Sequence, residues 1–249
     1  MGILLGAIAD DFTGATDLAN MLVTRGMRTL QIIGAPAAGM DTGDAEAVIV
    51  ALKSRTAPAA DAVAQSLGAL AWLRARDARQ FFFKYCSTFD STADGNIGPV
   101  ADALLAALDS DFAFVCPAFP TNKRTIYQGH LFVGDQLLSD SPMKDHPLTP
   151  MRDASLVRLM AAQTRRPVGL IPWPAVAAGA SSVARAVDAL RAQGVAYGVA
   201  DAITDRDLET IGSAAAEHRL ITGGSGVALG LPENFRRQGL LGAAAVPAL

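Results

Sequence analysis

Two adjacent carboxylates stand where an apolar run ends. Ile3-Leu4-Leu5-Gly6-Ala7-Ile8 leads into Ala9-Asp10-Asp11-Phe12-Thr13-Gly14, and then into Ala15-Thr16-Asp17-Leu18-Ala19-Asn20-Met21-Leu22. The run has the length and continuity of a buried strand, and the residues after it carry helical spacing. Asp10 and Asp11 therefore fall at the carboxyl end of the first strand, where ligands bind in open α/β sheets. Helix capping accounts for one of them, because Asp is a favoured N-cap. The other is left for acid–base work or for orienting a hydroxyl, with Thr13 beside it.

Other polar clusters also follow apolar runs. Lys53-Ser54-Arg55-Thr56 comes directly after Val48-Ile49-Val50-Ala51-Leu52. Cations beside a hydroxyl at a strand end suit a carboxylate or phosphate, although a solvated loop has the same composition. Lys84 to Gly98 follows Phe81-Phe82-Phe83 and holds five hydroxyl-bearing residues with Asp90, Asp94 and Asn96. Such a loop can take up a polyhydroxylated ligand. Cys86 within it reads as a small packing residue, since no base pairs with it in the pattern. Cys116 to Thr125 contains Lys123 and Arg124, which could hold an anion or form a charged turn. His146 is the one histidine in a polar, loop-like cluster, whereas His130 and His218 read as surface or strand residues. Thr222-Gly223-Gly224-Ser225-Gly226 is a glycine-rich turn that could present amides to phosphate through Gly224 and Ser225. It has neither the P-loop nor the dinucleotide spacing, and a tight strand-to-helix turn needs glycine in any case.

The elements that must position these clusters alternate along the chain. Strands are expected at 3–8, 29–33, 47–51, 80–84, 112–115, 168–171, 196–199 and 220–222. Amphipathic helices are expected at 16–24, 60–76, 100–108, 155–162, 181–193 and 204–216, the last with Thr204 as its cap and an acidic first turn. This β–α alternation predicts an α/β fold with a mostly parallel sheet and helices on both faces. Residues 117–150 interrupt it with five prolines. There, 126–133 followed by 136–138 predicts a small β-hairpin insertion, and a long Pro-rich connection of this kind is usually functional or disordered.

Composition sets the outer limits. The 249 residues are 51% apolar, enough for a sizeable core, and the formal net charge is −3. That balance points away from nucleic acid and anionic membrane as partners. No apolar stretch reaches the ~18–20 residues of a membrane span, and the N-terminus lacks the pattern of a signal peptide. Two cysteines are too few for a disulfide framework, which suits a reducing cytoplasm.

Taken together, the blocks IADDFTGATD, LKSR, FKYCSTFDST, DGNIGPV, CPAFPTNKRTIYQGHLFV, HPLTPM, DAITDRDL and ITGGSGVALGLP resemble the four-carbon acid sugar kinase family. They run in order from residue 8 to residue 232. The resemblance implies ATP-dependent phosphorylation of the terminal hydroxyl of a four-carbon acid sugar, with Mg²⁺ accompanying the ATP and its ligands unassigned. It further implies an N-terminal sugar-acid-binding α/β domain over residues 1–240. Residues 241–249 would begin a linker to a C-terminal ATP-binding domain whose motifs this chain lacks, leaving the isolated chain inactive. On this resemblance Asp10 or Asp11 is the base or hydroxyl orienter. Ser54, Arg55, Lys84 and Arg124 are candidates for the substrate carboxylate and hydroxyls, with Thr13 and His146 beside them. Asp90 and Asn96 either order their loop or accept sugar hydroxyls. The partner is a small sugar acid, and a homodimer remains open. A stand-alone binding module is the alternative. A haloacid-dehalogenase-type phosphatase needs a second acid two positions after the first, and position 12 is Phe.

Overall fold

The eight apolar runs assemble into a single parallel sheet. The computed structural model describes residues 2–243. In chain order the elements are β1 Leu5–Ala9, α1 Phe12–Thr24, β2 Thr29–Ile33, β3 Ala47–Ala51, α2 Ala59–Arg74, β4 Gln80–Lys84, α3 Ile97–Ala107 and β5 Ala113–Cys116. A small unit follows, β6 Arg124–Tyr127, β7 His130–Val133 and β8 Gln136–Leu137. The chain then continues through α4 Leu156–Ala161, β9 Val168–Ile171, α5 Trp173–Ala177, α6 Ala180–Ala192, β10 Tyr197–Ala200, α7 Asp205–Ala214, β11 Leu220–Gly223 and α8 Leu231–Arg237. The main sheet has the order β2-β3-β1-β4-β11-β5-β10-β9, and every pairing in it is parallel.

Strands β1, β3, β4 and β5 are buried along their whole length, which is why they read as continuous apolar runs. Helix α1 buries Gly14, Ala15, Leu18 and Leu22, one stripe at helical spacing. Helices α2, α3 and α4 pack against one another on one face of the sheet, while α1, α6 and α7 cover the other. The division follows from right-handed crossovers, because connections that move opposite ways along a sheet place their helices on opposite faces. Thr204 caps α7 as expected, in a reciprocal capping box with Asp207.

The order of strands decides where a ligand can sit. From β1 the chain moves toward the β2 edge, and from β4 it moves toward the β9 edge. The crevice between the carboxyl ends of β1 and β4 is therefore a topological switch point. Ala9 and Lys84 are register partners there.

The expected hairpin is present as β7 and β8, with Phe132 paired to Leu137 and Val133 to Gln136, and a further strand extends it. Residues 126–133 do not form one strand. The chain reverses at Gln128 and Gly129, whose φ values are 52° and 70°, and gives a three-stranded antiparallel sheet. The carboxylate of Asp201, just past β10, accepts the N–H of Gln128 and Gly129 at 2.8 Å each and fastens this sheet to the main one. Of the expected linker 241–249, residues 244–249 lie outside the described residues. No helix among the described residues is long and apolar enough to cross a membrane.

Candidate active site

Asp11, the first residue past the β1 turn, is the N-cap of α1. Its carboxylate accepts the Gly14 N–H at 2.8 Å. Asp10 has another task. Its side chain is 3% exposed and takes a two-pronged bond from Arg55, Nε at 2.9 Å and Nη2 at 2.8 Å. The same Nη2 lies 2.9 Å from Asp11 Oδ1, and Nη1 is 3.8 Å from Asp90. The pair at the end of β1 thus divides: Asp10 anchors an arginine from beneath, and Asp11, 28% exposed, faces outward.

The Arg55 loop is held to β1 by its backbone. Ser54 and Arg55 both donate their N–H to the Asp10 carbonyl. From the next strand Lys84 directs its ammonium at the Tyr85 carbonyl, 2.6 Å away. Burial pushes this ammonium down, against the pull of the Asp10 charge. Burial likewise pushes the Asp10 carboxyl up, with Arg55 and Lys84 opposing. For Arg55, burial works against the charge, but the hydrogen bonds and charge of Asp10 outweigh it and its pKa rises. Gly14 makes room for the arrangement. A Cβ there would stand 2.5 Å from Asp11 Oδ1 and 2.7 Å from Lys84 Nζ.

These groups line a small cleft of about 170 Å³ at the switch point. The expected residues Asp11, Thr13, Arg55, Lys84 and Ser225 meet in it. It also takes in Gly14, Asp17, Cys86 and Ser87, which sequence reasoning did not assign to the site. Asp17 had a legible signal: it lies four residues after Thr13 and three after Gly14 on α1, and so shares their face. Ser225 Oγ donates to it at 3.2 Å. Cys86 lies 3.0 Å from the Thr88 hydroxyl, and burial pushes its thiol up, against a nucleophilic role.

The loop that forms the cleft's far wall holds backbone strain. Phe89 and Asp90 both take positive φ, 65° and 46°. A buried Phe in that region is an outlier costing about 1–3 kcal/mol, and such residues gather at functional sites. Phe89 packs edge-on against Tyr85, and Asp90 accepts the Thr88 hydroxyl at 2.6 Å.

The remaining candidates stand elsewhere. Ser54 is buried beside the cleft. Asn96 is buried beneath the Arg55 loop and donates to backbone carbonyls. Arg124 is on β6, bonded to the Asn122 carbonyl, and His146 bonds Thr149; neither lines the cleft. In the glycine-rich turn, a Cβ at Gly224 would lie 2.6 Å from the Pro117 carbonyl and one at Gly226 2.6 Å from that of Ala118. Those glycines answer to close packing of the turn. A wider groove of about 380 Å³ is bounded by Arg25, Arg206, Glu209, Glu233 and Arg236 and shares no residue with the cleft.

Comparison with known proteins places the chain in a family. A family model described as a sugar-binding N-terminal domain covers residues 5–231. The chain belongs to that family. A Cupriavidus necator protein named 3-oxo-tetronate kinase is 65% identical over 99% of this chain, and the match spans 58% of that protein. A Haemophilus influenzae protein of the same name is 51% identical over 90% of the chain and 54% of its own length. The chain thus spans little more than half of the curated relatives it matches. A solved Haemophilus influenzae structure superposes with a TM-score of 0.90 at 49% identity, covering 94% of this chain and 56% of that one. A Bordetella bronchiseptica structure, described as a domain-swapped dimer with bound citrate, gives 0.78 at 30% identity, covering 93% and 57%.

Proposed function

We propose that this chain is the sugar-acid-binding half of an ATP-dependent kinase that phosphorylates the 4-hydroxyl of 3-oxo-tetronate. The observation that carries this is the meeting of Asp11, Arg55 and Lys84 in one cleft at the switch point. Phosphoryl transfer needs positioning and charge neutralisation, with a group to orient or deprotonate the attacking hydroxyl. Of the two carboxylates that line the cleft, Asp11 and Asp17, Asp11 is the one beside Arg55 and takes that role. Arg55 Nη1, whose nearest carboxylate is Asp90 at 3.8 Å, and the Lys84 ammonium receive the substrate carboxylate and keto oxygen. Asp10 keeps the Arg55 fork aimed and does not touch substrate. The names carried by the relatives and the citrate held by the Bordetella structure support this reading.

Among the described residues no group of three His, Cys, Asp or Glu side chains gathers to hold a metal. The glycines of the 223–230 turn are occupied by packing. Mg²⁺ that arrives with ATP needs only one or two carboxylates beside the phosphates, and Asp11 and Asp17 in the cleft are of that type; the proposal places the ATP motifs in the part of the relatives beyond the matched length. The isolated chain binds and does not turn over. A homodimer and a cytoplasmic setting are part of the proposal, the first on the likeness to the domain-swapped neighbour.

Calorimetry with 3-oxo-tetronate, beside an ATP-consumption assay on residues 1–249, tests both halves. Saturable binding without ATP consumption is expected. Absence of binding contradicts the site, and robust ATP-dependent turnover contradicts the division of labour.

A further inference from the structure

Asn96 occupies the N-cap position of α3 and does not cap it. Asn is among the strongest capping residues, because its side-chain oxygen accepts an N–H of the first turn. Here that job passes to Gln163, whose Oε1 accepts the Gly98 N–H at 3.0 Å. Asn96 instead turns its amide nitrogen away from its own helix and into the loop after β3. Nδ2 meets three carbonyls there, Ser54 at 2.8 Å, Ala57 at 3.0 Å and Arg55 at 3.2 Å. The side chain is 4% exposed and does not line the cleft.

We infer that Asn96 is a positioning residue for substrate binding, acting through Arg55. The inference rests on the sugar-acid reading of the cleft. The Arg55 segment is clamped from two sides. The Asp10 carbonyl holds its N–H groups, and the Asn96 amide holds its carbonyls. Two amide protons shared among three carbonyls, with the bond to Ser54 buried and those to Arg55 and Ala57 partly buried, fix the segment's path. Without them the Ser54 carbonyl keeps only the Ala57 N–H, and the tie between this segment and α3 is lost. The guanidinium fork is useful only while its base is fixed, because a bidentate contact tolerates little misplacement. The hydroxyl-rich loop before α3 thus contributes to the site, through its one carboxamide, by holding a neighbouring loop without touching the ligand.

Asn96→Asp is nearly isosteric, removes the donor and supplies a good N-cap, so α3 keeps its start. Asn96→Ser, also a good cap, is the second variant. Hydrogen exchange of the ligand-free chain should show the Ser54 and Arg55 amides exchanging faster in either variant, with the core amides of α3 unchanged. Unchanged protection at Ser54 and Arg55 overturns the clamp, whatever the chain binds. By calorimetry, Asn96→Asp should raise the Kd for 3-oxo-tetronate about tenfold in the wild-type background. In an Arg55→Lys background the same change should cost less than about twofold, because the fork it serves is already gone. Equal losses in both backgrounds, or no loss in the wild type, overturn the inference. If the wild type does not bind, or Arg55→Lys binds normally, the sugar-acid reading falls, and the exchange experiment still decides the clamp.

Discussion

The loops after β1, β3 and β4 and the long insertion after β5 are equally rich in chemistry-bearing residues, yet only the first set converges. Asp11, Arg55 and Lys84 come from three separate strands that stand side by side in the sheet. Connections leave β1 and β4 toward opposite edges of the sheet, and that divergence opens the crevice they fill. Arg124 and His146, by contrast, bond only near neighbours within their own segment, the Asn122 carbonyl and Thr149, and the buried Arg124 Nε has no partner among the described residues. Local density of polar residues marks a loop, and convergence across strands marks a site.

The sharpest way to break this contrast is at the Asp10–Arg55 pair. Arg55→Ala leaves a carboxylate buried without its fork, and removing one partner of a buried pair costs about 3–5 kcal/mol. Chemical denaturation should show a loss of that order, and sugar-acid binding should disappear. A variant of wild-type stability would mean that the pair is decorative. Asp11→Asn separates chemistry from capping. Asn caps as well as Asp, so stability should change by less than about 1 kcal/mol. In a chimera carrying the C-terminal part of the Cupriavidus relative, kcat should fall roughly 10²–10⁴-fold. An unchanged kcat would remove Asp11 from the chemistry. For the other region, Arg124→Gln and His146→Ala should each leave the Kd for 3-oxo-tetronate within about twofold. A tenfold loss in either would place the insertion in the site and end the contrast.

The smallest effect expected is in pH dependence, far from the cleft. His218 lies against Phe112 and Phe114, with ring centroids 5.5 and 5.1 Å away. Burial, aided by Arg191, lowers its pKa from 6.5. The unfolded chain therefore takes up a proton as pH falls through about 6.5 while the folded chain does not, so stability drops on acidification. Thermal unfolding between pH 7.5 and 5.5 should show a steeper fall in Tm for the wild type than for His218→Gln. Parallel curves would contradict this.

Most of the scaffold is legible in the sequence because its strands are buried on both faces. All eight runs expected as strands appear in the main sheet within one or two residues. Helix α1 begins at Phe12 rather than 16, since Asp11 itself is the cap and the first turn carries little apolar signal. Helices α5 and α8, five and seven residues long, are too short for periodicity to show. The break at Gln128–Gly129 hid in an apolar stretch because Gln rarely announces a positive φ. In the site, the carboxylate pair and Arg55 were legible as types at strand ends. Their division of labour was not, because Asp10 and Asp11 differ only in which way the turn points them. The partner of Asn96 was hidden for another reason: its acceptors are carbonyls about 40 residues away in sequence, and a carbonyl leaves no mark on residue type.

The most direct test of the account is a crystal structure of this chain with 3-oxo-tetronate bound. The account predicts the ligand at the β1–β4 crevice, with its 4-hydroxyl within hydrogen-bond reach of Asp11 and its carboxylate on Arg55 Nη1 or on Lys84. A ligand seated against Arg124 and His146, or in the arginine-lined groove beside Arg25 and Arg236, would contradict it.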